Sequence, residues 1–226
     1  DVCLKRHWLR ALVHPLRRSD FGASTGYRWF VPADERLSSQ VLSAINAYVA
    51  SLLGPHPWNS AWGGSMAIRR EMFDKIHLAE TWRKACTDDY TLTYLVKKEN
   101  LPIAFVPACF VASYEGMSWR ELFLFARRQF IITRVYMPRL WWLAAAGLGH
   151  YLAGFWIGVG VTAYLLRQSS SQASLAAVLP AALWLLSMIK GLTRQVMIAK
   201  ILPEDRKRLR LSAVIDIFFQ PLVSAF

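Results

Sequence analysis

Thr87-Asp88-Asp89-Tyr90-Thr91-Leu92-Thr93-Tyr94-Leu95-Val96-Lys97-Lys98 sets two adjacent carboxylates directly before an amphipathic run. Thr87 can cap a helix with its hydroxyl, and the first-turn N–H groups and the helix dipole favour negative charge at that end. One acid is thereby held ionised and fixed in direction, which is what a general base requires. Plain capping by both acids has the same sequence pattern. The next apolar run, Ile103-Ala104-Phe105-Val106, reads as a buried strand whose end is confined by Pro107.

Working back from the acids, Glu71 to Ile76 reads as helical, with a linker between it and the pair. Trp62-Gly63-Gly64-Ser65-Met66-Ala67-Ile68 is a glycine pair before a short apolar run, which fits a tight turn into a strand and a backbone open to a ligand. Val41, Leu42, Ile45, Val49, Leu52 and Leu53 recur at helical spacing, and Gly54-Pro55 ends that helix. Gly22 to Val31, rich in aromatic and β-branched residues, reads as a strand, and Trp8 to Val13 as a short helix closed by Pro15. The first half therefore mixes helices and strands, an α/β content.

Forward of the acids, Ser118-Trp119-Arg120-Glu121 is a capping box, and the helix it opens carries Arg127, Arg128, Gln129, Arg134 and Tyr136. Tryptophans at 119, 141 and 142 among arginines suit a membrane–water boundary, so 118–139 reads as an interfacial helix. Leu140 to Leu166 contains no Asp, Glu, Lys or Arg, and Gln168 to Ile189 is a second uncharged stretch with Pro180 inside it. Each exceeds the roughly 20 residues that a bilayer crossing needs. Their short polar connection makes a hairpin. The loop 190–210 carries Lys190, Arg194, Lys200, Arg206, Lys207, Arg208 and Arg210 against Arg167 alone in the connection, so the loop and everything before Leu140 read as cytoplasmic. A third apolar segment, 211–226, contains Asp216, either an acid kept in the membrane for function or part of a segment lying at the interface.

Composition agrees. Of the 226 residues 54% are hydrophobic, and 27 Lys+Arg against 15 Asp+Glu give a net charge of +12, much of it beside the apolar segments. Anionic headgroups and topology account for that charge, and no nucleic-acid motif accompanies it. Cys3, Cys86 and Cys109 are too scattered for a disulfide framework, and no His or Cys pair has metal-ligand spacing. Asp1 opens the chain without a methionine and Phe226 closes it inside an apolar run, so both ends read as cut from a longer protein.

Asp1-Val2, Gly26-Tyr27-Arg28-Trp29-Phe30, Trp62-Gly63-Gly64-Ser65, Thr87-Asp88-Asp89-Tyr90 and the arginine-glutamine stretch 127–136 occur in the order seen in membrane-bound family 2-like glycosyltransferases. The chain resembles most the ceramide glucosyltransferase family and its bacterial relatives. The resemblance implies the C-terminal part of a GT-A (Rossmann-like) catalytic domain over 1–117, followed by membrane helices. It implies inverting transfer of a hexose, glucose first, from a UDP-sugar to a lipid hydroxyl such as that of ceramide. Asp89 would be the base and Asp88 its supporting acid. Trp62, Gly63, Gly64 and Ser65 would line the acceptor pocket, and Asp1 would be the last acid of an Asp-x-Asp motif holding Mn2+ or Mg2+. Arg128 and Gln129 fall where the family has Gln/Arg-x-x-Arg-Trp, but Ile131 and Ile132 replace the Arg and Trp. Arg134 is then the substitute for supporting the diphosphate or the acceptor. Two other readings use the same residues: a processive polysaccharide synthase of the cellulose or hyaluronan type, and a non-catalytic basic membrane anchor.

Overall fold

The computed structural model describes residue 4 and residues 6–225; Asp1, and with it the expected metal ligand, lies outside the described residues. In chain order, α1 (Trp8–Val13) runs into a 3-10 turn, followed by β1 (Ala23–Pro32), α2 (Leu37–Ala50), β2 (Met66–Ile68), α3 (Arg70–Lys75), α4 (Leu78–Trp82), α5 (Asp88–Lys98) and β3 (Ile103–Glu115). Then come α6 (Trp119–Tyr136), α7 (Pro138–Arg167), α8 (Ala173–Ile201), α9 (Arg210–Phe218) and α10 (Gln220–Val223). The architecture is mixed α/β, with a small three-stranded sheet and two long apolar helices.

The sheet order is β2-β1-β3; β1 pairs antiparallel with β2 and parallel with β3. As the central strand, β1 is buried along nearly its whole length. Alternation sends Trp29 and Val31 into one apolar cluster with Phe110, Ala47 and Ala50. Phe30 enters another with Leu42, Leu122 and Ile215. At the start of β1, Ala23 joins Leu78, Leu92, Val96 and Ile103, so α3, α4 and α5 are seated against the sheet by their own apolar faces.

Pro107 does not end its strand, as the sequence suggested; β3 continues through it to Glu115. The β1–β3 register shifts here, from Thr25 opposite Phe105 to Tyr27 opposite Phe110. Proline has no N–H for the ladder, and a bulge in an edge strand takes it out of the pairing without loss. Gly26 stands across from this bulge, its N–H donating to the Ser65 carbonyl at 2.8 Å. A Cβ at Gly26 would meet the Cys109 carbonyl oxygen at 2.5 Å, so the turn at Ser65, β1 and β3 can meet only over a glycine.

The capping box forms as read: Ser118 accepts the Glu121 N–H, and the Glu121 carboxylate accepts the Ser118 N–H. The α7 and α8 helices span 30 and 29 residues and are long and apolar enough to cross a membrane. They pack at small residues, Gly158 lying against Pro180. The basic loop expected over 190–210 is mostly helix, since α8 continues to Ile201. Its end is not surrounded by solvent: Ile198 and Leu202, with Leu209 just before α9, cluster with Trp29 and Val31 of the sheet. The acid in the third apolar segment is resolved as an ion pair. Asp216 of α9 is fully buried and accepts from Arg194 Nε at 3.1 Å, from Arg194 Nη2 at 2.6 Å and from Gln195 Nε2 at 2.8 Å.

Candidate active site at the start of helix α5

The acidic pair occupies the first turn of α5. Thr87 caps it, its hydroxyl accepting the Tyr90 N–H at 3.2 Å and donating to Asp89 Oδ1 at 2.8 Å. Asp89 Oδ1 also accepts the Tyr90 N–H at 2.8 Å. The other oxygen, Oδ2, accepts the Gly63 N–H at 3.2 Å. The two motifs picked out separately in the sequence therefore meet: the glycine turn reaches across and holds the second acid. A Cβ on Gly63 would meet Asp88 Oδ1 at 2.7 Å, so a side chain there would have to turn the exposed Asp88 carboxylate aside.

Asp88 differs from its neighbour. It is exposed, its Oδ1 accepts the Asp89 N–H at 2.9 Å, and its carbonyl accepts from Trp82 Nε1 at 3.0 Å. It borders an open depression of about 380 Å³ with Trp82, Ala85, Cys86 and Thr87. A second, of about 450 Å³, is lined by Glu80, Thr81, Lys84, Thr91 and Tyr136. The helix α4, unforeseen in what read as a linker, supplies part of both walls.

Of the proposed acceptor residues, Trp62 is half-buried with its ring folded over Gly64, and the Tyr27 ring meets it edge-on at 5.6 Å. Ser65 is buried, and its Oγ has no hydrogen-bond partner among the described residues. Burial pushes the Tyr27 phenol up to about 12; the neighbouring Arg28 opposes the rise, and Tyr90 and Asp89 add to it. Tyr27 therefore stays a neutral hydroxyl beside the acid across the physiological range.

No family model and no curated protein matches this chain.

Two hydrogen bonds tie α6 to the site. The Tyr90 hydroxyl bonds Thr133 Oγ1 at 2.8 Å, and the Cys86 N–H donates to the Tyr136 hydroxyl at 2.9 Å. Thr133 and Tyr136 are one helical turn apart, so one face of α6 docks on the start of α5. The arginine face does not: Arg128, Gln129 and Arg134 are exposed, and none hydrogen-bonds to the acidic pair. Arg134 instead stands 5.3 Å from the Trp141 ring centre. Tyr90 and Thr133 were not foreseen as site residues, because a tyrosine beside an acid and a threonine within a helix carry no signal until the two elements meet. Tyr90→Phe is expected to cost about 1 kcal/mol, the net worth of one hydrogen bond. It should raise amide hydrogen exchange in the last turns of α6 while leaving the α2 amides unchanged, read by exchange mass spectrometry.

The described residues do not by themselves make a metal site. Among the described residues no three His, Cys, Asp or Glu side chains come together. Two neighbouring carboxylates, one of them already hydrogen-bonded through both oxygens, would leave most of a hard cation's positions to waters and substrate phosphate oxygens.

Proposed function

We propose that this chain is the C-terminal part of a GT-A-type glycosyltransferase catalytic unit joined to a membrane hairpin. It transfers a hexose, glucose first, from a UDP-sugar to a lipid hydroxyl such as that of ceramide, at the cytoplasmic face. The observation that carries the proposal is the Gly63 N–H on Asp89 Oδ2, which joins the glycine turn to a capped, oriented carboxylate. The tie from that carboxylate's helix to α6 supports it, because α6 leads directly into α7.

In this reading Asp89 accepts the proton of the lipid hydroxyl. Three hydrogen bonds occupy its oxygens, and a carboxylate offers about four lone-pair sites, so capacity for the incoming proton remains. As the proton leaves, the lipid oxygen attacks the sugar's anomeric carbon and the bond to the diphosphate oxygen breaks on the opposite side. One displacement inverts the configuration. Asp88 orients the first turn, and Trp62, Gly63, Gly64 and Ser65 border the acceptor. Arg128, Gln129 and Arg134 support donor or acceptor from the α6 surface. Mn2+ or Mg2+ is the proposed cofactor, with Asp1 as a ligand; bound, it would neutralise the departing diphosphate.

Membrane placement is supported by the outward surfaces of the long helices. Trp142, Leu143, Ile157, Leu166, Leu175 and Ile189 are all more than three-fifths exposed. Helices apolar all round belong inside a large core or a bilayer, and the apolar stretches of α7 and α8 are almost entirely unburied. The basic end of α8 packs on the same sheet that seats α5, which agrees with a catalytic unit on the cytoplasmic side.

The test is an assay of the complete protein in nanodiscs against a panel of nucleotide sugars with membrane lipid extract, followed by mass measurement of new glycolipids. A lipid carrying one hexose is the expected product. A ladder of oligomers identifies a polysaccharide synthase instead. Neither transfer nor nucleotide-sugar hydrolysis, with or without Mn2+, leaves a membrane anchor.

A further inference from the structure

Arg28 follows Tyr27 on the central strand and belongs to none of the roles above. Its guanidinium is half-buried and lies 4.2 Å from the Phe30 ring centre and 5.6 Å from that of Trp62. Phe30 in turn meets Phe125 of α6 edge-on at 5.8 Å, one turn before Arg128 and Gln129. Arg28 therefore stands where the central strand, the Trp62 turn and the membrane-leading helix converge.

A guanidinium carries five N–H donors and no acceptor, and burial without partners is costly. Among the described residues no hydrogen bond or ion pair engages this one. The rings around it attract a cation but cannot satisfy those donors. The groups facing it are the Tyr27 phenol and the Glu115 carboxylate. Glu115 is beyond ion-pair reach and accepts from Ser113 Oγ at 3.1 Å. Burial lowers the Arg28 pKa, with Tyr27 and Glu115 opposing, so the site as it stands under-stabilises the charge.

We propose that Arg28 is an anion-binding residue, its guanidinium fork taking two oxygens of a diphosphate that enters beside Trp62. The fork matches paired phosphate oxygens, and the two aromatic rings beside it restrict where the guanidinium can lie. The position also suits the proposed transfer: Trp62 adjoins Gly63, whose N–H holds Asp89, so cation and base border the same turn. The inference rests on that reading for its choice of ligand, and its test is independent of turnover.

The complete protein in nanodiscs is titrated calorimetrically with inorganic pyrophosphate, as wild type, Arg28→Gln, Arg28→Lys and the exposed control Arg17→Gln. Arg28→Gln is expected to weaken pyrophosphate at least tenfold and Arg28→Lys severalfold, because a point charge cannot make the paired contact. Arg17→Gln should match wild type, and thermal melts should show all four folded. The second arm measures flotation with phosphatidylcholine vesicles with and without phosphatidylglycerol, where Arg28→Gln should equal wild type. Pyrophosphate affinity unchanged in Arg28→Gln, no pyrophosphate binding by wild type, or a loss confined to phosphatidylglycerol vesicles each overturns the proposal. Pyrophosphate binding that requires Arg28, without sugar transfer, removes the transferase reading and leaves the anion site. Transfer with unaltered kinetics in Arg28→Gln does the reverse.

Discussion

Asp89→Asn is expected to lower the rate of sugar transfer by about 10³-fold, the middle of the range for removing a general base, with donor affinity unchanged. The amide keeps the shape of the carboxylate and can still accept the Tyr90 N–H that Oδ1 holds. It cannot take a proton from a hydroxyl, and its NH2 offers the Gly63 N–H no acceptor. A small loss of stability therefore accompanies a large loss of rate. Single-turnover transfer together with nucleotide-sugar binding separates the two. Asp88→Asn is the informative neighbour: with its side chain exposed and bonded only within its own turn, it should lose far less. Undiminished turnover in Asp89→Asn would remove this residue from the chemistry.

Arg194→Met should be the most destabilising single change in the helical half, costing about 3–5 kcal/mol, the range for stripping a buried charge of its partner. Asp216 is fully buried, and two of its hydrogen bonds come from Arg194. Gln195 alone cannot compensate a carboxylate in that setting. Nor can the helices move apart cheaply. A Cβ on Gly191 would meet the Asp216 carbonyl oxygen at 2.8 Å, so α8 and α9 are in backbone contact one turn before the pair. Replacing both partners, Arg194→Met with Asp216→Leu, should recover most of the loss, since an apolar pair leaves no charge behind. Unfolding in mixed micelles measures all three variants. A double variant as unstable as the single one would show that the pair acts through something other than charge compensation.

Local chemistry reached the chain's own periodicities and caps. The Thr87 cap, the Ser118 box, the central strand and the apolar helices all depend on residues within a few positions of one another, which is why they are legible in order along the chain. Pro107 misled because a proline ends a strand in isolation. Only the partner strand, with Gly26 opposite, shows that a bulge takes it up. Asp216 stayed ambiguous because an acid in an apolar run has two meanings until the arginine 22 positions away is placed against it.

By itself, then, the sequence determined the α/β character of the first half, the two long apolar helices and the capped pair of acids. Tertiary structure decided that Gly63 holds Asp89, that Tyr90 grips Thr133, and that the last turns of α8 lie on the sheet. Those contacts join residues 26, 43 and more than 160 positions apart. Hydrogen bonds and apolar packing across such separations leave no periodic trace in either partner, because each half is an ordinary glycine, tyrosine or isoleucine until folding brings it to the other.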